Sequence, residues 1–95
     1  MEFEWDAKKA DSNVAKHSVT FSEAMTVFGD PLELAIADPD HSEEEFRFLS
    51  MGQSAGGRLL VVAYTEHEGR TRIINARKAT PRERRQYESI RSPKR

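Results

Sequence analysis

Seven consecutive residues, from His41 to Arg47, bring together the side chains that proton transfer and anion binding need: an imidazole, three carboxylates and a guanidinium. In an extended chain, Glu45 and Arg47 share one face, because side chains repeat every second residue. A carboxylate beside an arginine stays ionised and could act as a base. The alternative is a surface salt bridge of little energetic weight. The segment therefore offers a candidate acid–base pair that the rest of the chain must position.

The other two histidines, His17 and His67, are open to the same two interpretations, an acid or base in a site or a solvated structural residue. The three histidines are separated by 24 and 26 residues, which is not the close spacing of metal ligands. The chain contains no cysteine, which excludes a disulfide, a thiolate nucleophile and a thiolate metal site. No phosphate-binding loop or dinucleotide motif occurs, so we expect no metal and no cofactor.

Charge is unevenly distributed along the 95 residues. Residues 1–69 hold 5 basic and 14 acidic side chains, whereas residues 70–95 hold 10 basic and 2 acidic ones. This segregation suits a protein with a polyanion at one surface and a protein partner at another, although a merely solvated basic helix would look the same. The length predicts one domain over residues 1–90 with a frayed basic tail at 91–95. The longest apolar run, residues 59–64, is too short to cross a bilayer, and we expect a cytoplasmic protein.

Two helices are predicted before the first strand. Asp6 can cap a helix to about Ala15. Thr20 and Glu23 form a capping box for a second helix, which Gly29 and Pro31 end.

Four strands and a last helix follow. Alternation predicts strands over about residues 32–37, 45–53, 59–65 and 71–77, with a bulge in the second strand between Phe48 and Leu49. Glu68-Gly69 resembles a two-residue hairpin turn. Thr80, Pro81 and Glu83 then predict the capped start of a helix to about Ile90. This order indicates an α+β domain with two N-terminal helices, a four-stranded antiparallel sheet, one face covered by helices, and a C-terminal helix.

A tight Glu68-Gly69 turn would set the pairing of the last two strands. It places Thr65 opposite Arg72, Tyr64 opposite Ile73, Val62 opposite Asn75 and Leu60 opposite Arg77. Asn75, Arg77 and Tyr64 would then lie on the open face. Arg72 would lie near the edge of the other face, beneath the helices. That face would also hold the small apolar residues Val61, Ala63, Ile74 and Ala76.

Short motifs follow one another along about residues 3–88 and include Phe3-Glu4-Trp5-Asp6, Lys16-His17, Phe21, Asp30-Pro31, His41-Ser42, Glu45-Phe46-Arg47-Phe48, Tyr64-Thr65, Arg72-Ile73-Ile74, Ala76-Arg77-Lys78-Ala79 and Glu83-Arg84. In these motifs and in their order, the chain resembles the BrnT toxin family. Two positions depart from the family's pattern. Ser18 stands where glycine is usual, which makes a positive φ at that corner an open question. Asn75 stands where serine is common.

The resemblance implies a ribonuclease toxin with a RelE-like α+β fold. It also implies a hetero-oligomer with an antitoxin of the BrnA type, a ribbon-helix-helix protein through which the toxin reaches operator DNA. For the RNA site we expect Arg77 and Arg47 to stabilise phosphate, Glu45 to act as the base or to orient it, and His41 to be a possible acid. The open sheet face and the start of the last helix would hold the RNA, with further contacts from four residues: Lys16, His17, Arg72 and Lys78. The rival interpretation is a non-catalytic module that only pairs with a DNA-binding partner.

Overall fold

The computed structural model describes residues 1–37 and 47–91. Within them the N-terminal helix α1 spans Ala7–His17. The Asp6 side chain accepts a hydrogen bond from the backbone N–H of Lys9 at 3.0 Å, as its capping role predicts. The helix ends at Ser18, whose φ of 59° is in the left-handed region. The corner therefore has the positive φ for which glycine is favoured, although a serine occupies it.

The second predicted helix is present but divided. Helix α2 spans Phe21–Met25 and continues as a 3₁₀ turn over Thr26–Gly29. The Thr20 hydroxyl accepts from the Glu23 N–H at 3.0 Å. The Thr26 hydroxyl donates to the Glu23 carbonyl at 2.6 Å, a local bond that competes with regular helical pairing. The tighter last turn follows from this competition.

Within residues 1–37 and 47–91 the sheet has five strands, one more than the sequence predicted. The strands are β1 (Phe3–Glu4), β2 (Leu34–Ala37), β3 (Phe48–Gln53), β4 (Leu59–His67) and β5 (Arg70–Lys78). Their order is β1-β5-β4-β3-β2, and the pairing of β1 with β5 is parallel. The prediction of a purely antiparallel sheet was wrong because a two-residue strand is too short to show a periodicity.

The turn between β4 and β5 is the predicted one. Glu68 and Gly69 both have positive φ, 52° and 80°, and the flanking residues pair directly. The predicted pairs at Thr65 and Tyr64 are confirmed. The register then slips by one residue, so that Asn75 pairs with Ala63 and Arg77 with Val61.

Ile74 is thus the extra residue of a β-bulge in β5. Because of the bulge, the residues of β4 lie on the faces of the sheet opposite to those predicted. Val61 and Ala63 lie on the face away from α1 and α2, whereas Leu60, Val62 and Ala76 pack beneath these helices. Tyr64 alternates with Val62 and packs against Phe28, so it does not share the face of Arg77. The bulge predicted in the second strand is absent, since β3 pairs with β4 in unbroken register from Phe48.

The last helix, α3, spans Pro81–Arg91. Its capping box is reciprocal: the Thr80 hydroxyl accepts from the Glu83 N–H at 3.1 Å, and the Glu83 carboxylate accepts from the Thr80 N–H at 2.9 Å. Tyr87 of α3 packs with Met51 and Val61 on the face that the sequence left open. Helices therefore cover both faces of the sheet. None of the helices in the described ranges is long and apolar enough to cross a membrane.

Candidate functional site

Arg77 lies near the end of β5 and is held by a carboxylate from the next element. Its Nη1 and Nη2 donate to Oε1 and Oε2 of Glu83 at 2.8 and 2.9 Å. This hydrogen-bonded pair lowers the pKa of Glu83 to about 2 and raises the pKa of Arg77. The Arg77 side chain remains 35% exposed. The sequence predicted Arg77 as a phosphate-stabilising cation, and the structure shows its guanidinium fixed by a bidentate ion pair.

The ion pair does not use all of the guanidinium. Of its five N–H groups, two donate to Glu83, and a third donates to the carbonyl of Lys78 at 3.4 Å. The Nε–H and the second N–H on Nη2 have no hydrogen-bond partner within residues 1–37 and 47–91. These two groups form one edge of the planar fork, which is the edge that can bind two oxygens of a phosphate.

Arg77 lines an open cavity of about 460 Å³ together with three other residues that the sequence predicted for the site. We call this cavity the basic cleft. Its lining residues come from the end of α1, the end of β5 and the cap of α3: Lys16, His17, Ser18, Arg77, Lys78 and Thr80. Four of the eight predicted site residues therefore meet at one place. The cleft concentrates positive charge, as a site for a polyanion requires.

Asn13 joins the two elements that form the walls of the basic cleft. Its buried amide donates to the carbonyls of Val19 and Ala76 at 2.9 and 2.8 Å and accepts from the Ala76 N–H at 3.0 Å. The two bonds to Ala76 pair the backbone N–H and carbonyl of β5 at its outer edge, where none of the described strands lies beside it. They also fix the distance between the end of α1 and Arg77.

Arg58 supports the corner at Ser18. Its Nη2 donates to the Ser18 carbonyl at 3.0 Å, and its Nε donates to Glu23 at 3.0 Å. The hydrogen bonds from Arg58 and Ser54 lower the pKa of Glu23, which keeps this carboxylate charged. The left-handed residue in the wall of the cleft is therefore anchored to the hairpin between β3 and β4.

Arg72 lies outside the basic cleft. It pairs with Glu4 on β1, its Nε donating to Oε2 at 2.6 Å, and Arg70 and His67 contact the same carboxylate at 3.2 and 2.9 Å. The hydrogen bond from Arg72 is the main reason why the pKa of Glu4 is lowered. Its neighbour Ile73 is buried with Val62 and Ala76 beneath α1 and α2, so Arg72 lies on the opposite face of β5, not beneath these helices as predicted.

The remaining predicted residues belong to the segment between β2 and β3. His41 and Glu45 lie outside the described residues. Arg47 immediately precedes β3, where Phe48 pairs with Tyr64, and it is partly exposed. In the chain direction of β4, Arg47 is thus at the level of Thr65 and Arg77 at the level of Val61. The structure does not bring Arg47 into the lining of the basic cleft.

Sequence reasoning missed the site role of Glu83 and Asn13. Glu83 was recognised only as a helix cap. Only Ala79 and Thr80 separate β5 from α3, and this short link places a first-turn carboxylate beside the last side chains of the strand. That spacing was the available signal. Asn13 gave no comparable signal, because its partners are 6 and 63 residues away.

A larger cavity of about 540 Å³ lies between the 3₁₀ turn and the hairpin that joins β3 and β4. The lining residues include Thr26, Gln53 and Ser54, and Asp30 is the charged one. A cavity whose charge is a carboxylate does not suit a polyanion. Within the described ranges, no group of three histidine, aspartate or glutamate side chains is arranged to hold a metal ion.

Comparison with known proteins places this fold in a known class of small α+β proteins. The crystal structure of the Brucella abortus ribonuclease toxin BrnT matches with a TM-score of 0.62 at 22% sequence identity, covering 84% of this chain and 97% of that one. The sequence model of the BrnT family, described as the ribonuclease toxin of a type II toxin–antitoxin system, matches residues 5–83. No curated protein matches. The chain belongs to the BrnT family, and membership of a type II system implies an antitoxin partner.

Proposed function

We propose that this chain is an endoribonuclease that cleaves RNA without a metal ion by holding a backbone phosphate in the basic cleft. The observation that carries the proposal is the convergence of Lys16, His17, Arg77 and Lys78 on one open cavity. The family supports a ribonuclease activity for the chain. The cleft supplies a position for the substrate.

The proposed reaction begins with attack by a ribose 2′-hydroxyl on its own 3′-phosphate. The attack needs a group that accepts the hydroxyl proton, a group that protonates the leaving 5′-oxygen, and cations around the crowded phosphate. The products are a 2′,3′-cyclic phosphate and a free 5′-hydroxyl. The new bond to phosphorus is formed by the substrate's own 2′-oxygen. The protein therefore contributes positioned charges and proton transfer.

Arg77 is the proposed phosphate ligand. Glu83 fixes the guanidinium from one end, and the Nε–H edge remains available to two phosphate oxygens. Lys16 and Lys78 add point charges on the two sides of the cleft. A preorganised cation of this kind contributes a few kcal/mol of transition-state stabilisation, about as much as one oxyanion-hole donor.

His17 is the imidazole that lines the cleft, and imidazole can transfer protons near neutral pH. The acid and base proposed from the sequence, His41 and Glu45, belong to the segment that leads into β3. Arg47 remains a proposed second phosphate cation. Arg72 remains a proposed RNA contact farther along β5, where a phosphate would compete with Glu4.

The proposed partner is a ribbon-helix-helix antitoxin of the BrnA type, which neutralises the toxin in a hetero-oligomer and carries it to operator DNA. The charge segregation supports two distinct partner surfaces, one for RNA and one for protein. The proposed site of action is the cytoplasm, where the transcripts are.

Expression of the chain alone and together with a ribbon-helix-helix antitoxin of the BrnA type tests this function. We expect growth arrest and transcript cleavage when the chain is expressed alone, and neither when the partner is present. Normal growth and intact transcripts, at a protein level equal to that of an active homologue, would favour the non-catalytic binding module. The pairing of Arg72 and Arg77 with carboxylates is the structural observation that fits that alternative.

A further inference from the structure

A second cavity borders the basic cleft and shares two of its residues. It has a volume of about 170 Å³, and we call it the adjoining pocket. Its lining residues come from α1 and from the bulge of β5: Lys9, Ser12, Asn13, Lys16, His17, Ile74 and Asn75. Lys16 and His17 line both cavities. A chain of nucleotides in the cleft would therefore continue past these two residues into the adjoining pocket.

The bulge and the short first strand together open this pocket. β1 pairs with β5 only at Thr71 and Arg72, so among the described strands none lies beside the outer edge of β5 beyond that point. The extra residue of the bulge is Ile74, which is half-buried, and Asn75 follows it. Without the bulge, both residues would follow the regular alternation of the strand.

The two amides at the pocket differ in what they can still bind. The amide of Asn13 is committed to Val19 and Ala76. The side chain of Asn75 is exposed and makes no hydrogen bond to the described part of the chain. It therefore offers one N–H₂ donor and one carbonyl acceptor to a ligand, beside the aliphatic side chain of Ile74.

We infer that the adjoining pocket binds the nucleobase next to the phosphate in the basic cleft and that Asn75 selects this base. The inference rests on the proposed function and names the residue that sets which RNA sequence is cleaved. Proteins recognise unpaired RNA bases by hydrogen bonds to their edges and by contacts with their faces. Asn75 supplies the hydrogen bonds, and Ile74 packs against the base.

Adenine is the base that fits this amide best. Its N6 amino group donates and its N7 accepts, which complements the acceptor and donor of an asparagine side chain. A carboxylate at the same position would only accept, and would favour the N4 amino group of cytosine. The substitution Asn75→Asp therefore exchanges one preference for the other with almost no change of shape.

The test is cleavage of a randomised RNA followed by sequencing of the fragment ends. For the wild type we expect adenine enriched about fivefold to tenfold at one fixed position beside the cut, the size of discrimination that a bidentate contact gives. Asn75→Asp should lose this enrichment and gain cytosine at the same position. Gln86→Glu makes the same amide-to-acid change on an exposed position of α3 and should retain the wild-type profile.

A binding measurement separates this inference from the proposed function. Short 2′-O-methyl oligonucleotides cannot be cleaved through the 2′-hydroxyl, so their affinity reports binding without cleavage, and the difference in affinity between two bases reports the pocket. Tighter binding of an adenine-containing oligonucleotide by the wild type, reversed by Asn75→Asp, would support the pocket even if no cleavage were observed. Equal affinities for adenine and cytosine, or an end profile unchanged by Asn75→Asp, would overturn the inference and leave the ribonuclease activity standing.

Discussion

At the residue scale, the central feature is a carboxylate with two functions. Glu83 closes the capping box of α3 through the Thr80 N–H and holds both Nη atoms of Arg77. The start of the helix and the orientation of the guanidinium therefore depend on the same side chain. A fixed guanidinium loses less freedom when a phosphate binds than a mobile one does, and this makes the ion pair compatible with a catalytic role.

Glu83→Gln separates the two functions of this residue. Glutamine can close a capping box, but it lacks the charge and the second oxygen that fix Arg77. We expect the single-turnover rate of RNA cleavage to fall roughly tenfold, less than the 10²–10³ lost when a donor is removed outright. In the Arg77→Ala background the same substitution should have no further effect.

Asp6→Ala is the control for this experiment, because it removes the cap of α1 outside both cavities and lowers stability by about 1 kcal/mol. Its cleavage rate should equal that of the wild type. A Glu83→Gln rate equal to the wild-type rate would show that Glu83 serves the helix alone.

The ion pair also predicts how stability depends on pH. Folding lowers the pKa of Glu83 from 4.5 to about 2. A lowered folded-state pKa contributes stability that is present above the unfolded pKa and is lost as the pH falls through the folded one. The difference in melting temperature between the wild type and Glu83→Gln should therefore shrink between about pH 4.5 and pH 2. A constant difference across this window would show that the two residues are not paired in solution.

At the element scale, the features that sequence reasoning predicted are local ones. The caps at Asp6 and Thr80 and the turn at Glu68-Gly69 depend on residues within a few positions of one another, and all three are confirmed. The parallel strand β1 and the packing of α3 on the far face depend on contacts between distant segments. Neither has a periodic signal.

The unpredicted bulge at Ile74 changes the predicted position of several other residues. A single extra residue moved Val61, Ala63 and Arg72 to the face opposite the predicted one. Arg77 lies on its predicted face, but it pairs with Val61 and not with the predicted Leu60. The shift in register and the reversal of faces in β4 compensate for each other at this position. Of the cations predicted for the site, Lys16, Arg77 and Lys78 line the basic cleft, whereas Arg47 and Arg72 do not. The carboxylate on α3 and the bulged edge of β5 were not predicted.

The corner between α1 and α2 predicts a stabilising substitution. Ser18 has a φ of 59°, in the left-handed region that costs a side-chain-bearing residue about 1 kcal/mol or more. Ser18→Gly should raise stability by up to about 1 kcal/mol, or about 4–8 °C in melting temperature for a domain of this size. Ala15→Gly, in the regular part of α1, is the matched control and should lower the melting temperature. A decrease for both variants in thermal denaturation would show that the corner does not adopt this conformation.

At the scale of the whole molecule, the basic residues are concentrated in one segment of the chain. Residues 70–95, which include β5 and α3, carry 10 of the 15 lysines and arginines. The carboxylates of Glu4 and Glu23 are each already paired with arginines within the domain. The positive charge of the basic cleft is therefore supplied mainly by one contiguous segment, with Lys16 and His17 added from the end of α1.

The most direct test of this account is RNA cleavage by the purified chain, in the presence of EDTA, for the wild type and Arg77→Ala. Arg84→Ala, which removes the same charge from an exposed position of α3 paired with Glu88, is the control. The account predicts cleavage by the wild type and Arg84→Ala, and loss of at least about 100-fold for Arg77→Ala, with the fold and antitoxin binding retained. Undiminished cleavage by a folded Arg77→Ala protein would contradict the account, because the basic cleft would then not hold the reacting phosphate.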